Sequence, residues 1–310
     1  MPPLTASVSL RSCPLCAKQK LNPFSRHSHA GTDLRYVICR TCGLVLLSPR
    51  FSEADLARFY QEEYRKMYCG DANPTRRNVL EQQARAGHLS NLVKSKITTL
   101  TSHLDIGCSA GELLLAVRSS YREIPGFRSV GIEPSDAHRT WCAQTGLAVY
   151  SSIQDYQSRC SDRFDLVTLS HVLEHLPEPL KFLRELRSTT ISERGLLLVE
   201  VPNLFGHKSF EIAHCFCFFE KTLSDMLTAA GFKIVFSKLH SIPHGNMAGP
   251  LYITVLAAAE STEKGPFKAS PVWWRTVQFK RLMWTTRIKL TQFHKITRRF
   301  GRFLKRLAKA

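Results

Sequence analysis

The sequence predicts an α/β protein built around a seven-stranded, mainly parallel β-sheet. Short apolar runs recur between residues 99 and 260, and helical patterns lie between most of them. Alternation of this kind is typical of βαβ units, in which helices cover both faces of a parallel sheet. The last two apolar runs are joined by little or no helix, which predicts an antiparallel strand at the end.

Each predicted strand is a short apolar run, and the runs lie at 102–106, 129–132, 147–150, 164–169, 195–201, 232–236 and 251–257. The helical patterns between them include PEPLKFLRELRSTT and EKTLSDMLTAAG. Ligands of such sheets bind beyond the carboxyl ends of the strands. We therefore expect the functional residues where the strands end.

The chain has 310 residues, enough for this sheet domain and a smaller module. Four segments are predicted: a cysteine-bearing module at 1–50, a helical linker or lid at 51–98, the sheet domain at 99–260 and a basic helical tail at 261–310. The helical linker opens with an S-x-x-D capping pattern at Ser52.

Three tyrosines, Tyr60, Tyr64 and Tyr68, follow one another at helical spacing in the linker. Packing of this helix on the sheet domain explains the stripe. A second interpretation is that one tyrosine reaches the ligand pocket as part of a lid.

Four of the ten cysteines form two C-x-x-C pairs, at Cys13, Cys16, Cys39 and Cys42. Two such pairs can present four thiolates in a tetrahedron, the arrangement of a structural zinc site with no open coordination position. The pattern therefore predicts a small zinc-ribbon-like module. Two disulfides are the alternative.

The expected compartment is the cytoplasm, or the inner face of the membrane if the tail binds lipid. No apolar leader precedes Cys13, and the longest apolar runs are too short to span a bilayer. Ten cysteines in 310 residues are sparse for a secreted disulfide scaffold. Reduced thiols disfavour the disulfide alternative.

The stretch HLDIGCSAGE changes from an apolar run into a turn of small residues. Asp105 ends the first predicted strand, and Gly107 and Gly111 flank the turn into a helix. Glycines remove Cβ atoms where a ligand would approach the backbone. Glu133 ends the second strand, where a carboxylate can accept hydrogen bonds from both hydroxyls of a ribose. The two features together predict a nucleoside-binding turn.

Four motifs, LDIGCSAGELL, VGIEPS, FDLVTLSHVLEHLPEPLKFLREL and LLLVEVPN, resemble the motif series of class I S-adenosylmethionine-dependent methyltransferases. The resemblance covers roughly residues 10–257. It is strongest for a subgroup that carries an N-terminal zinc-binding module and often acts on sugars or other small cell-envelope precursors. The fold that it implies is a Rossmann-like methyltransferase sheet.

The resemblance implies S-adenosylmethionine as the cofactor. The residues that would bind it follow the first three strands, and they are Asp105, Gly107, Ser109, Gly111, Glu133, Ser152 and Ile153. Ser109 stands where the family often has a middle glycine. Ser152 and Ile153 occupy the place from which the family usually offers an acid to the adenine amine, and Asp155 lies just beyond.

Methyl transfer to a hydroxyl or an acidic C–H needs a base near neutral pH, for which histidine is best suited. SHVLEH follows the fourth strand and holds His171, Glu174 and His175. The resemblance makes this segment part of the pocket floor, with His171 as a catalytic candidate. Glu174 capping a turn and His175 packing in the core are the alternatives.

His214, in EIAHCFCFF, matches a histidine that precedes an aromatic run in the family. In the sugar-modifying relatives that histidine is the proposed general base, so the resemblance implies the same role here. The alternative is a buried histidine whose ring is satisfied by a backbone carbonyl.

The C-terminal tail carries most of the net charge of +18, because residues 266–310 contain thirteen Lys and Arg and no acid. Its apolar residues recur mostly at three-to-four spacing, which predicts an amphipathic helix. Lys and Arg with Trp and Phe on such a helix suit peripheral contact with an anionic membrane. Nucleic acid is the competing partner, and packing on the catalytic domain is a third interpretation.

The expected function is methyl transfer from S-adenosylmethionine to a small polar or glycan-type acceptor, including nucleotide-linked or lipid-linked sugars. An RNA or protein methyltransferase that binds its substrate through the zinc module and tail is the first alternative. A binding protein that keeps the cofactor fold without turnover is the second.

Overall fold

A computed structural model describes residues 8–29, 31–207, 210–243, 249–260 and 267–286. Its strands, numbered in chain order, are β1 (Leu21–His29), β2 (Thr32–Cys39), β3 (Val45–Leu47), β4 (Ser102–Ile106), β5 (Arg128–Ile132), β6 (Ala148–Tyr150), β7 (Phe164–Ser170), β8 (Ile191–Pro202), β9 (Phe216–Cys217), β10 (Phe232–His240) and β11 (Tyr252–Ala259).

The helices are α1 (Glu53–Glu62), α2 (Tyr64–Cys69), α3 (Arg76–Lys96), α4 (Glu112–Ser120), α5 (Asp136–Gln144), α6 (Ile153–Gln157), α7 (Pro179–Thr189), α8 (Glu220–Ala229) and a last helix, α9, over 274–286. A 3-10 turn, Leu173–His175, follows β7.

The main sheet has seven strands in the order β10-β11-β8-β7-β4-β5-β6. Strands β4 to β8 run parallel to one another, and β11 runs antiparallel to both β8 and β10. The predicted α/β fold with a mainly parallel sheet and a late antiparallel strand is therefore confirmed. All seven predicted runs fall on these strands, although β8 begins four residues earlier than expected.

Strand β4 lies at the centre of the sheet, between β5 and β7, and all five of its residues are buried. Its register pairs Ile106 with Ile132 of β5 and with Leu169 of β7. Because parallel strands end at the same edge, the segments after Ile106, Ile132 and Ser170 lie side by side there. This edge is where ligands of doubly wound sheets bind.

A second, antiparallel sheet has the order β1-β2-β3-β9. Its fourth strand comes from the region after β8, since Val45 pairs with Cys217 and Leu46 with Phe216. Buried residues of both sheets belong to one continuous hydrophobic cluster. The N-terminal segment is thus completed by a strand that lies more than 150 residues further along the chain.

The helical linker packs on the sheet domain. Ser52 caps α1 by accepting a hydrogen bond from the Asp55 N–H at 3.1 Å, as the sequence pattern predicts. Thr75 caps α3 in the same way. Helix α3 packs on α4, where the Ser90 hydroxyl donates to the Ala116 carbonyl at 3.0 Å.

The chain after β11 returns to the N-terminal sheet. The Val272 N–H donates to the Thr41 carbonyl at 2.8 Å, and Val277 of α9 is buried. Phe279 and Leu282 of the same helix are exposed. Residues 261–266 and 287–310 of the predicted amphipathic tail lie outside the described residues. None of the helices described has both the length and the apolar character needed to cross a bilayer.

Replacement of Gly131 tests the packing beside β4, and replacement of Gly87 in α3 provides the control. A Cβ at Gly131 of β5 would lie 2.6 Å from Cys108 Sγ and 2.8 Å from Leu114 Cδ1. Gly131→Ala should therefore lower the free energy of unfolding by about 1–3 kcal/mol, as overpacking does. Gly87→Ala in α3 is the matched control, because a Cβ there meets nothing within 4 Å and should add about 0.5–1 kcal/mol. Urea titration measures both; equal stabilities would contradict the packing around Gly131.

Candidate functional site

A cavity of about 1510 Å³, called the main cavity below, lies at the carboxyl edge of the parallel strands. Its floor is formed by the segments that follow β4, β5 and β7. Its roof is formed by α1, α2 and α3. The predicted location of the site at the strand ends therefore coincides with a large concave space.

The glycine turn after β4 has a left-handed backbone at both glycines, with φ of 76° at Gly107 and 83° at Gly111. A Cβ at Gly107 would lie 2.6 Å from Val172, and one at Gly111 would lie 2.3 Å from Leu147. The sequence interpretation was that both glycines make room for a ligand. In the structure they make room for neighbouring side chains and for a backbone conformation that favours glycine.

Ser109, between the two glycines, has a φ of 51°. This left-handed conformation costs a non-glycine residue free energy. The Ser109 hydroxyl accepts hydrogen bonds from Arg65 of α2 at 2.9 Å and from Gln82 of α3 at 3.1 Å. The turn is therefore held from above by two helices.

Glu133, at the end of β5, is buried and lines the main cavity. Its Oε2 accepts from the Ser109 N–H at 2.9 Å and lies 3.2 Å from Nη2 of Arg65. Its Oε1 accepts from the Ser135 N–H at 3.0 Å. Backbone donors thus orient the carboxylate.

Asp105 lines the cavity beside the turn, and its Oδ1 accepts a hydrogen bond from Thr168 at 2.6 Å. The pKa of Asp105 is raised to about 7. Burial is the main cause and the charge of Glu133 adds to it, whereas the hydrogen bond from Thr168 acts in the opposite direction. Two carboxyl groups therefore lie at one end of the cavity, and a ligand there meets acceptors.

After β6, the cavity is lined by Ser151 and Gln154. Ser152 and Ile153, the residues expected to contact adenine, begin α6, and the Ser152 hydroxyl caps that helix. The Asp155 carboxylate accepts from the N–H and the hydroxyl of Ser151. The polar groups at this end of the cavity are therefore one residue on either side of the predicted pair.

His171 lines the main cavity directly after β7 and has a φ of 57°. A left-handed conformation is uncommon for a histidine, and strained backbone conformations of this kind cluster at functional sites. Burial, reinforced by the charge of Arg85, lowers the pKa of His171 to about 4. The ring is therefore uncharged at neutral pH.

Glu200, near the carboxyl end of β8, is completely buried. His240 lies 3.0 Å from its Oε2, and Arg85 and His171 lie 3.2 and 3.4 Å from its Oε1. Thr254 donates to Oε2 at 3.1 Å. Burial opposes ionisation, but these partners outweigh it and hold the pKa of Glu200 below its ordinary value.

His175 lines the cavity, whereas His214 lies behind it, with ring centroids 4.9 Å apart. Both rings are buried, and burial lowers both pKa values, that of His175 to about 4. His175 Nδ1 lies 3.1 Å from the Ala213 carbonyl. The sequence leaves open that His214 is a buried histidine whose ring bonds to a backbone carbonyl. In the structure, the histidine with such a contact is His175.

Glu174 is 1% exposed, and neither of its oxygens has a hydrogen-bond partner among the described residues. Its Oε1 lies 3.5 Å from Nδ1 of His171 and 3.7 Å from Nε2 of His175. Burial raises the pKa of Glu174 well above its ordinary value. A turn cap, the alternative considered from the sequence, would have given this carboxylate a backbone donor.

Tyr60, Tyr64 and Tyr68 form one aromatic wall of the main cavity, with neighbouring centroids 5.1 Å apart. The rings of Tyr60 and Tyr64 each lie 5.8 Å from His175. The Tyr68 hydroxyl accepts from the Ile212 N–H at 3.1 Å. The stripe therefore both packs on the sheet domain and faces the cavity.

The four cysteines of the C-x-x-C pairs converge, with their sulfur atoms within 4.8 Å of one another. Sγ atoms are 3.5 Å apart in the pair Cys13–Cys42 and in the pair Cys16–Cys39. A disulfide would need about 2.05 Å. Tetrahedral zinc with Zn–S bonds of about 2.3 Å sets a separation of about 3.8 Å. The four thiols thus fit a tetrahedral metal site, and all described cysteines are free.

Several site residues were missed by the sequence reasoning, namely Arg65, Gln82, Arg85, Glu200 and His240. The charged Glu200 inside the apolar run LLLVEVP was the one available indication, because a lone charge in a buried strand requires partners. The helical residues gave none, since exposed Arg and Gln are ordinary on a helix surface.

Curated relatives match part of the chain. A ubiquinone biosynthesis O-methyltransferase of Actinobacillus pleuropneumoniae serotype 7 (strain AP76) is 28% identical over 138 residues, which cover 42% of this chain and 53% of the relative. A ubiquinone biosynthesis O-methyltransferase of Proteus mirabilis (strain HI4320) is 28% identical over 115 residues, which cover 36% of this chain and 42% of the relative. The chain spans about half the length of these relatives.

Among solved structures, the Burkholderia thailandensis 1,6-didemethyltoxoflavin-N1-methyltransferase, with bound 1,6-didemethyltoxoflavin and S-adenosylhomocysteine, superposes with a TM-score of 0.54 at 16% identity. The match covers 76% of this chain and all of that one, and it shows a shared fold. A family model described as a methyltransferase domain matches residues 55–236, more than half of the chain, and the chain therefore belongs to the methyltransferase-domain family.

Proposed function

We propose that the protein transfers a methyl group from S-adenosylmethionine to a hydroxyl oxygen of a small polar acceptor. The observation that carries the proposal is the carboxylate of Glu133, oriented by the Ser109 and Ser135 amides at the glycine turn. Each carboxylate oxygen has two acceptor sites. One site per oxygen is used by an amide, which leaves room for the two ribose hydroxyls once Arg65 shares or releases its contact.

The rest of the cofactor would extend from Glu133 in two directions. The methionine portion would lie along Asp105 and Gly107, and the adenine would lie towards Ser151 and Gln154, all of which line the main cavity. The cofactor carries its own activated methyl group, so the protein chiefly aligns the acceptor and excludes water. Helices α2 and α3 are suited to this role because they already cover the turn through Arg65 and Gln82.

The size and lining of the cavity support a small acceptor beside the cofactor. About 1510 Å³ exceeds the roughly 300–1,000 Å³ of a pocket for one drug-sized ligand. The wall of Tyr60, Tyr64 and Tyr68 suits the flat face of a sugar or of a phenol. The O-methyltransferase names of the curated relatives favour an oxygen acceptor, and a glycan hydroxyl has the same chemistry.

We propose His171 as the group that receives the acceptor proton. It lies on the cavity wall, and its uncharged ring can accept a proton. His214, the base expected from the sequence, is separated from the cavity by His175, so a supporting role fits it better.

We also propose a structural zinc ion at Cys13, Cys16, Cys39 and Cys42. Four converging thiols leave no open coordination position, which suits a structural rather than a catalytic metal. The ion would hold the loops before β1 and before β3 together at one end of the small sheet.

The cofactor site is tested by Glu133→Gln. Loss of the charge should weaken the binding of S-adenosylhomocysteine by about 10-fold or more, because each of the two ribose hydrogen bonds is worth about 1 kcal/mol more to a charged acceptor than to a neutral one, and about 1.4 kcal/mol is tenfold. Isothermal calorimetry on the full chain measures it. Glu193→Gln, at an exposed position of β8, is the control and should bind normally. Equal affinities for both variants would remove Glu133 from the site.

The zinc proposal is tested by Cys39→Ser. The purified variant should contain one equivalent of zinc less than the unmodified chain, measured by mass spectrometry of the metal content, since three thiolates hold the ion poorly. Cys160→Ser changes a cysteine outside the cluster and should leave the metal content unchanged. A zinc content that is unaffected by Cys39→Ser would contradict the site.

The activity is tested with methyl-labelled S-adenosylmethionine and separated small-molecule, glycan, RNA and protein fractions of a cell extract. Label should enter a small-molecule or glycan fraction. His171→Ala should slow that transfer by about 10²–10⁴-fold while S-adenosylhomocysteine still binds, because proton transfer contributes about this much. Label confined to RNA or protein would refute the acceptor class, and S-adenosylhomocysteine binding without any transfer would support a non-catalytic binding protein.

A further inference from the structure

At the wall of the main cavity, three buried side chains converge: His175, which lines the cavity, and Glu174 and His214, which lie deeper. Each offers one ligand atom, and the three atoms lie within 4.8 Å of one another. We propose that these residues form a second metal site, separate from the four cysteines, which binds a divalent transition-metal ion at the position where the acceptor docks. The metal site itself stands on these residues alone, and its role in docking the acceptor rests on the proposed function.

Glu174 is the first line of support, because its carboxylate has no hydrogen-bond partner within the described part of the chain. It is 1% exposed, and neither oxygen has a hydrogen-bond partner among the described residues. A buried polar group without partners costs free energy that proteins normally avoid. The positive charge of Arg85 is engaged with Glu200, 3.2 Å away. A divalent cation between Glu174 and the two histidines would supply the missing counter-charge.

His175 is the second line of support, because its ring is held as a metal ligand would be. Nδ1 lies 3.1 Å from the Ala213 carbonyl, so the N–H is assigned to Nδ1 and donates to it. The lone pair is then on Nε2, which lies 3.7 Å from Glu174 Oε1. Metal-binding histidines almost always donate their other ring N–H to a carbonyl or a carboxylate.

His214 joins the cluster from a different part of the chain. It lies just before β9, and its ring is 4.9 Å from that of His175. The carboxylate of Glu211 lies 3.5 Å from its Nε2 and can orient the ring. An ion bound here would tie the segment after β7 to the segment that completes the N-terminal sheet.

Two imidazoles and one carboxylate define the class of ion. This donor set suits Zn²⁺, Mn²⁺ or Fe²⁺, whereas four thiolates suit Zn²⁺ in a closed site. Three protein ligands leave a coordination position open. His175 lines the main cavity beside Tyr60 and Tyr64, so an ion held by these three residues would lie next to that space.

An acceptor hydroxyl bound at that position would lose its proton more readily, because a metal ion lowers the pKa of a bound oxygen. The proton would pass to the ring of His171. The new bond then forms between the acceptor oxygen and the methyl carbon as the bond from that carbon to sulfur breaks, and its electron pair remains on sulfur. The positive charge of the sulfonium cancels the negative charge of the acceptor oxygen in this step. The proton that the acceptor lost carries a positive charge to His171, so charge and atoms balance.

Manganese separates this site from the cysteine cluster, because soft thiolates are poor ligands for Mn²⁺ and imidazole and carboxylate are good ones. The full-length protein is titrated with MnCl₂, and free Mn²⁺ is followed by its electron paramagnetic resonance spectrum. We expect one bound Mn²⁺ per chain. Glu174→Gln and His214→Ala should each weaken binding by more than about 10-fold, since even an outer-shell partner contributes about 10–100-fold.

Added Zn²⁺ should release the bound Mn²⁺, because Zn²⁺ binds nitrogen and oxygen ligands more tightly. Glu193→Gln makes the same chemical change at an exposed position and should bind Mn²⁺ normally. Circular dichroism, measured on every variant, shows whether the fold is intact, and S-adenosylhomocysteine binding is measured separately by calorimetry. Glu174→Gln is nearly isosteric and serves if His214→Ala does not fold.

The outcomes distinguish this site from the proposed function. An unmodified chain that binds S-adenosylhomocysteine but not Mn²⁺ overturns the metal site and leaves the proposed function standing. Normal Mn²⁺ binding in folded Glu174→Gln and His214→Ala also overturns it. Mn²⁺ binding that both variants lose, in a chain with no heat from S-adenosylhomocysteine, supports the metal site and refutes the proposed cofactor.

Discussion

The burial of Glu200 is the constraint on which the arrangement of the site depends. A buried carboxylate in an apolar strand needs compensating partners, and breaking such a buried pair costs about 3–5 kcal/mol. Its partners come from the helical roof (Arg85), from the segment after β7 (His171) and from the far strand of the sheet (His240). Because the Glu200 carboxylate contacts all three side chains, a shift of helix α3 would break its ion pair with Arg85 and leave a buried charge less compensated. The unusual backbone of His171 persists for the same reason.

Local patterns in the sequence were enough to find the strands of the main sheet, because a parallel strand buried on both faces must be an uninterrupted apolar run. They were not enough to find β9, a two-residue strand that exists only because Val45 and Leu46 lie beside it. Arg65 and Gln82 were missed for a related reason. Their role depends on how the linker folds back over the turn after β4, and no local period records that contact.

The candidate site shows the same division between residue type and arrangement. The sequence assigned Gly107 and Gly111 to the close approach of a ligand, but the atoms that a Cβ would meet there belong to Val172 and Leu147. The polar residues after β6 are offset by one position from the expected pair. His171, His175 and His214 were identified from their chemistry. Which of them line the cavity depends on the packing of two distant segments, and residue spacing does not record that packing.

The pairing of β3 with β9 bears on how the chain is made. The small sheet lacks its fourth strand until residue 217 has been synthesised and has left the ribosome, although its other three strands end at Leu47. During that interval the edge of β3 has no partner, and the apolar residues that later pack beneath Phe216 and Phe218 stay uncovered. The two sheets are therefore expected to become stable together, as one cooperative unit, and not in the order in which they are translated.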